Sequence, residues 1–139
     1  GSGPGGAPGA RFWECESSMA GGREAAERIL ESGDGPTAVI TMSDVIGLGV
    51  LDYLVGAGRR VPGDVSVVGF DDIPEATLVR PQLTTVSQYG LEKGRRAAEI
   101  LMRLIEAEEV VGSTVLETRL VVRESSGPPP SGPTVAHRM

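Results

Sequence analysis

A short apolar run in the middle of the chain constrains its fold more than any other feature. The run is VSVVGF, residues 65–70, which follows the turn sequence PGD and precedes two acidic residues, Asp71 and Asp72. It is rich in β-branched residues and lacks polar alternation, which is typical of a strand that is buried on both faces. Open α/β sheets bind ligands at the carboxyl ends of such strands. The run therefore predicts a buried parallel strand that ends at a binding edge.

Strand and helix patterns alternate around this run. RFWEC at residues 11–15 is a plausible short strand, and REAAERILES at 23–32 has apolar residues at helical spacing. A second buried strand is predicted at 37–42, and VIGLGVLDYLVGAG at 45–58 predicts a helix that glycines end. We therefore predict an α/β fold, a parallel sheet flanked by helices with right-handed crossovers.

The second half of the chain adds an extended piece, a long helix and a last strand. LTTV at residues 83–86 begins the extended piece, and residues 114–122 are predicted as the last strand. Between them, residues 89–109 predict a helix whose charged side is solvated. The apolar face of this helix consists of Leu91, Ala98, Leu101, Leu104 and Ile105.

Composition and missing motifs exclude several classes of protein. With 139 residues the chain makes one domain at most. Its net charge of −6 argues against unspecific binding of nucleic acid, which needs clustered Lys and Arg. The lone Cys15 fits a reducing cytoplasm, and we find neither a signal peptide nor an apolar run that could span a bilayer. Dinucleotide, phosphate-loop, nucleophile-elbow and Cys/His metal motifs are absent, so we expect a cytoplasmic protein without cofactor, metal or enzymatic activity.

Four stretches of the sequence resemble the LacI/GalR family of bacterial transcription regulators. In the order and spacing of that family they are PTAVITMSDVIGLGVL (36–51), RRVPGDVSVVGFDD (59–72), RPQLTTVSQ (80–88) and TRLVVRESS (118–126). The resemblance lies in the effector-binding half, which shares the fold of periplasmic sugar-binding proteins. It implies a type I periplasmic-binding-protein-like C-terminal subdomain that is incomplete relative to the family.

The resemblance implies a site for a small polar ligand such as a sugar or a purine. Asp71 matches the carboxylate of the family that accepts hydrogen bonds from ligand hydroxyls. Ser43 and Asp44 stand at the Asn-Asp pair of the family, although Ser43 lacks the amide donor of the usual Asn. Gln88 matches the polar residue after the Thr-Thr-Val strand, and Ser17 stands where several members place an aromatic residue under the ligand.

Each of these residues also has a structural alternative. Asp71 can simply solvate a strand end beside Asp72, which is itself typical of a turn or cap residue. Ser43 and Asp44 can cap the helix that they precede, and for Asp44 we favour that role. Ligand contact and a structural role remain equally open for Gln88.

The resemblance implies dimerisation as a second function. Relatives pair through the helix after the Asn-Asp motif and the loop after the Gly-Phe/Tyr-Asp motif, which here places Leu48, Leu51, Leu78 and Val79 at the contact. Leu51 is equally a candidate for the core, so Leu48 and Val79 are the better interface candidates. A two-fold contact of this kind would be isologous.

We expect three regions in the chain. Residues 1–10 are a flexible lead-in, residues 11–124 a partial effector-binding and dimerisation domain, and residues 125–139 a disordered tail. Residues 89–115 correspond to the helix that in the family crosses to the N-terminal subdomain. Since that subdomain is missing here, we predict that the apolar face of the helix folds onto an available sheet edge or pairs with another copy.

The leading hypothesis is a module of a LacI-type regulator that binds an effector, dimerises and controls transcription through ligand-dependent allostery. Its expected partners are a sugar-like small molecule and a second copy, with operator DNA bound only through a headpiece absent from this chain, and no membrane. The alternative is a fragment of a periplasmic sugar-binding protein of a transport system. An α/β enzyme is a third hypothesis, but Asp71 and Asp72 are adjacent and point in different directions, which does not suit an acid–base pair.

Overall fold

The computed structural model of the chain describes residues 10–33, 35–106 and 112–130. In chain order its elements are α1 (Met19–Glu31), β1 (Ala38–Ile40), α2 (Asp44–Gly56), β2 (Ser66–Val68), a 3-10 turn (Pro74–Thr77), β3 (Thr85–Ser87), α3 (Gly90–Ile105) and β4 (Arg119–Val121). The lead-in predicted for residues 1–10 and the end of the predicted tail, residues 131–139, lie outside the described residues except for Ala10.

The four strands are neighbours in the order β1, β2, β3, β4. β1 pairs with β2 in parallel, and β3 pairs with β4 in antiparallel fashion. Parallel bridges from Val68 to Thr84 and from Asp71 to Ser87 join the two pairs. The first three strands are therefore parallel, and their carboxyl ends lie at the same edge. The predicted α/β fold with a parallel sheet is confirmed.

The strands β1 and β2 differ in burial. Val67 of β2 is fully buried, as its apolar run predicts. In β1 only Val39 packs against the core, whereas Ala38 and Ile40 are exposed, Ile40 by 81%. Alternate residues of a strand face opposite sides of the sheet, and among the described residues nothing covers the side that carries Ile40. The prediction of a strand buried on both faces is therefore wrong for residues 37–42.

Helix α1 begins earlier than the sequence predicts. Its N-cap is Ser18, whose Oγ accepts a hydrogen bond from the Gly21 N–H at 3.0 Å. Gly22 lies inside the helix, where a Cβ atom would be 2.3 Å from the carbonyl oxygen of Ile46. Glycine is therefore needed at this position because the backbones of α1 and α2 meet.

The segment before α1 is not a strand. Residues 11–15 have no strand pairing; instead the carbonyl oxygen of Glu14 accepts a hydrogen bond from Nη2 of Arg28 in α1 at 2.5 Å. The predicted strand at 11–15 is therefore wrong, since this segment runs along α1 and not beside the sheet.

The hydrophobic core lies where α1 and α2 pack against the sheet. Its buried members are Ala26, Leu48, Val50, Leu51, Leu54, Val65, Val67, Ala76 and Leu83. Helix α2 supplies four of these nine residues, more than any other element.

Helix α3 carries an apolar face that no described residue covers. None of its residues is buried, and Leu91, Leu101, Leu104 and Ile105 are all more than half exposed. On its charged side, hydrogen bonds from Arg95 and Arg96 hold the pKa of Glu92 at about 2. The prediction for this face was packing on a sheet edge or pairing with another copy. It does not fold onto a sheet edge here.

The ordered chain continues past the boundary that the sequence predicts at residue 125. Ser125 is fully buried, and its Oγ donates to the Val67 carbonyl at 2.6 Å and accepts from the Thr84 N–H at 2.8 Å. Further on, the Gly127 N–H donates to Ser66 Oγ at 3.1 Å. A disordered tail that starts at Ser125 is therefore wrong, because this segment satisfies polar groups of β2 and of the start of β3. The last strand is also shorter than predicted, Arg119–Val121 in place of 114–122.

In the part of the chain that the structure describes, no helix has the length and apolar character needed to cross a membrane.

Candidate functional site

Three of the predicted site residues follow the carboxyl ends of neighbouring strands. Ser43 follows β1, Asp71 follows β2 and Gln88 follows β3. Backbone hydrogen bonds keep these ends together: the Asp44 N–H donates to the Phe70 carbonyl at 2.7 Å, and the Asp71 N–H donates to the Val86 carbonyl at 3.0 Å. The fold therefore brings the three positions to one edge of the sheet.

A chain of hydrogen bonds links Asp71, Gln88 and Lys93. Nε2 of Gln88 donates to Oδ1 of Asp71 at 2.7 Å, and Nζ of Lys93 donates to Oε1 of Gln88 at 2.8 Å. Since Lys93 can only donate, it fixes which end of the amide faces Asp71. The Asp71 side chain is exposed, and no described residue hydrogen-bonds to its Oδ2. A carboxylate oxygen and an amide N–H are thus presented side by side.

The backbone turns sharply where Asp71 and Asp72 follow β2. Both have positive φ, 125° at Asp71 and 62° at Asp72, a region that residues other than glycine rarely occupy and that costs about 1–3 kcal/mol each. The two carboxylates have different partners, Gln88 for Asp71 and Nη2 of Arg123 for Asp72 at 2.5 Å. This geometry agrees with the prediction that the adjacent carboxylates diverge.

Asp44 is a buried anchor and not a ligand-contacting residue. Its side chain is 0% exposed; Oδ1 accepts from Thr85 Oγ1 at 2.5 Å and Oδ2 accepts from the Ile73 N–H at 2.9 Å. Ligand contact by Asp44 is therefore wrong. The favoured structural role at the start of α2 agrees with the structure in part: Asp44 lies in the first turn, where a carboxylate suits the helix dipole, but the N-cap is Ser43, whose Oγ accepts from the Ile46 N–H. Asp44 instead ties the start of α2 to β3 and to the turn after β2.

Gly69 shows how closely the Asp44 carboxylate lies against β2. A Cβ atom at Gly69 would be 2.1 Å from Asp44 Oδ1. The Gly of the VSVVGF run is therefore required by close approach of a side chain to the backbone, which its position in the sequence does not show.

Ser17 lies apart from this cluster in its contacts. It is exposed and precedes the N-cap of α1. Among the described residues no hydrogen bond joins it to Asp71, Ser43 or Gln88. Its place beneath a ligand stays a prediction.

Arg123 belongs to the site although sequence analysis did not single it out. Its side chain is only 13% exposed, and it contacts Asp72 through Nη2 and the Leu83 carbonyl through Nη1 at 2.9 Å. In the sequence, Arg123 directly follows the apolar residues LVV. A charge next to buried residues needs a partner, and this position was the signal that could have revealed its role.

The four predicted interface residues fall into two groups. Leu48 and Leu51 are core residues, 5% and 2% exposed, which agrees with the core alternative given for Leu51, and their place at a dimer contact stays a prediction. Val79 is half-buried against the core, and Leu78 is 76% exposed. Leu48, Leu51 and Val79 line a depression of about 210 Å³, together with Met19, Asp52, Val55 and Arg80.

A larger cleft of about 420 Å³ lies between α3 and residues 114–118, and Gln88, Lys93 and Arg96 are among its lining residues. It adjoins the Asp71–Gln88–Lys93 chain through two shared side chains. Within the described residues no group of three or more His, Cys, Asp and Glu is placed to hold a metal ion.

Comparison with known proteins identifies the family. Residues 5–126 match the family described as periplasmic binding protein-like domain. The chain belongs to this family, and it corresponds to the C-terminal part of the effector-binding domain in LacI/GalR transcription regulators.

One of the most similar curated relatives is the HTH-type transcriptional repressor CytR of Escherichia coli strain K12. It is 36% identical over 106 residues, which are 76% of this chain and 31% of CytR. The chain thus spans about a third of the length of the curated relatives that it matches. The curated relatives described as HTH-type are transcriptional repressors or regulators.

Solved structures of LacI-family proteins share the fold. A LacI family transcriptional regulator from Arthrobacter sp. FB24 in complex with lactose has a TM-score of 0.74 and 38% identity, over 81% of this chain and 43% of that one. The dimeric Lac repressor with an 11-residue C-terminal deletion has a TM-score of 0.76 and 31% identity, over 81% of this chain and 41% of that one.

Proposed function

We propose that this chain is the effector-binding and dimerising part of a LacI-type transcription regulator, and that its effector is a small sugar-like molecule. The observation that carries the proposal is the exposed Asp71 carboxylate, held beside the Gln88 amide at the carboxyl edge of the sheet. The Arthrobacter relative in complex with lactose supports a sugar as the class of ligand. A fragment of a transport protein is not favoured, since the relatives are regulators.

The chemistry of the edge suits a polyhydroxylated ligand. A hydroxyl can donate to Oδ2 of Asp71 while it or its neighbour accepts from the second N–H of Gln88. A hydrogen bond to a carboxylate is of the charge-assisted kind, which contributes about 1.5–3 kcal/mol. Ser43 adds a hydroxyl at the end of the neighbouring strand.

Regulation follows if the effector prefers one conformation of the whole protein. A ligand shifts a conformational equilibrium only by its difference in affinity for the two states. In our proposal that shift is passed to a DNA-binding headpiece outside this sequence, which contacts the operator in the cytoplasm.

Replacing Asp71 with alanine is expected to weaken effector binding about 10- to 100-fold, because one charge-assisted hydrogen bond is lost. The effector is first found in a thermal-shift screen of pentoses, hexoses, polyols and purines, and its affinity is then measured by calorimetry. Glu24→Ala, which removes an exposed carboxylate from α1, is the matched control and should bind as the unchanged chain does. Equal affinity in the Asp71 variant would show that the site lies elsewhere.

We further propose that the chain dimerises through the depression beside α2 and the exposed Leu78. An arginine at Leu78 is expected to weaken the dimer at least tenfold, because truncating or charging a central interface residue costs about 1–2 kcal/mol or more. Sedimentation velocity across a concentration series measures this. Ile40→Arg, an equally exposed apolar residue on the edge strand β1, should leave the dimer unchanged. An unchanged dimer affinity in the Leu78→Arg variant would show that the chains contact each other through another surface.

A further inference from the structure

The turn that presents Asp71 needs external support. Asp71 and Asp72 both occupy the left-handed region of φ, and neither is glycine. Residues in this region keep their conformation only when surrounding contacts determine it. The position of the Asp71 carboxylate therefore depends on the groups that hold Asp72 and Ile73.

Two side chains from different elements form hydrogen bonds with this turn. Oδ2 of Asp44, at the start of α2, accepts from the Ile73 N–H at 2.9 Å. Nη2 of Arg123, two residues after the end of β4, contacts Oδ1 of Asp72 at 2.5 Å. The Arg123–Asp72 pair is largely enclosed, with side-chain exposures of 13% and 24%. Water therefore has little access to the two side chains and competes little for their hydrogen bond.

Arg123 is itself fixed to the two residues that directly precede β3. Its Nη1 donates to the Leu83 carbonyl at 2.9 Å, and its backbone N–H donates to Thr84 Oγ1 at 2.9 Å. The planar fork of a guanidinium can bind a carboxylate and a carbonyl at once, whereas the ammonium of lysine is a single point of charge. Arg123 can thus fix the distance between Asp72 and β3. Gln88 follows β3, so Asp72 and Gln88 are held near the same edge of the sheet.

We propose that Arg123 is a positioning residue of the ligand site, which acts through Asp72 to hold the strained turn that presents Asp71. The role in ligand binding rests on the function proposed above. The effect on the turn itself does not, so the two can fail separately.

Amide hydrogen exchange tests the hold on the turn in the full chain without any ligand. Arg123→Gln is expected to accelerate exchange at the Asp71 and Ile73 N–H groups about tenfold or more, because a charge-assisted bond is lost locally. The Thr41 N–H, bonded to the Val68 carbonyl at 2.9 Å, reports on the sheet and should not change. Arg123→Lys should give an intermediate exchange rate. Arg119 is an exposed arginine in β4, and Arg119→Gln should leave the exchange rates unchanged.

Equal acceleration at Thr41 would show that Arg123 only stabilises the whole domain, and unchanged exchange at Asp71 and Ile73 would show that it does not hold the turn. Either result overturns the proposal. If Arg123→Gln does not fold, Asp72→Asn makes the same test from the other side, since it keeps the size of the side chain and removes its charge.

Calorimetric titration with D-ribose and with lactose tests the consequence for binding. If the unchanged chain binds either sugar, Arg123→Gln is expected to weaken that affinity at least tenfold while Arg119→Gln does not. Unchanged affinity would overturn the positioning role. If neither sugar nor any compound of the screen binds the unchanged chain, the proposed function fails, and the exchange rates alone decide whether Arg123 holds the turn.

Discussion

Replacing Asp44 with alanine is expected to lower the free energy of unfolding by about 2–6 kcal/mol, because one buried and one partly buried donor lose their acceptor at about 1–3 kcal/mol each. The donors are the Thr85 hydroxyl, in a residue that is 0% exposed, and the Ile73 N–H. A single domain has only about 5–15 kcal/mol of stability, so this loss removes much of it. Urea denaturation followed by circular dichroism measures the change.

Asp52→Ala is the control for Asp44→Ala, since it removes a carboxylate from the same helix at an exposed position. Asp52 pairs with Arg23 at the surface, where such pairs contribute about 0–1 kcal/mol. The stability of Asp44→Asn should lie between those of Asp44→Ala and Asp52→Ala, because an amide oxygen can still accept one hydrogen bond. If Asp44→Ala were as stable as Asp52→Ala, the buried anchor would not exist in solution.

Replacing Gly49 with alanine is expected to cost about 2–3 kcal/mol or more, the upper range for overpacking a core. A Cβ atom at Gly49 would lie 2.1 Å from the carbonyl oxygen of Met19 and 3.1 Å from the backbone nitrogen of Arg23. Both are backbone atoms of α1, so the whole helix must move away from α2. The higher helix propensity of alanine, about 1 kcal/mol, offsets only part of this cost.

Gly56 provides the matched control for Gly49, since it lies in the same helix and a Cβ atom there would meet nothing within 4 Å. Gly56→Ala should therefore be neutral or slightly stabilising. The melting temperatures of the two variants, measured together, separate the loss of packing from helix propensity. A Gly49 variant as stable as the Gly56 variant would contradict the close helix contact.

The sequence predicted part of the candidate site and missed the part that holds it in place. Asp71 and Gln88 follow apolar or β-branched strands, and a strand end is a position that can be recognised locally. The roles of Asp44 and Arg123 depend on partners far along the chain. Asp44 reaches Ile73 over 29 residues and Thr85 over 41, and Arg123 reaches Asp72 over 51. No local pattern contains such pairs.

Apart from the strand wrongly predicted at residues 11–15, the sequence was enough to predict the order of strands and helices and the α/β class, because apolar periodicity and turn residues act over a few neighbouring positions. Which faces are covered could be learned from the folded structure alone. It exposed Ile40 in a strand predicted to be buried, buried Ser125 in a segment predicted to be disordered, and placed Leu48 in the core. Burial depends on which other elements pack against a surface. Hydrogen-bond partners that are distant in sequence, such as Val67 and Ser125, are brought close only by folding.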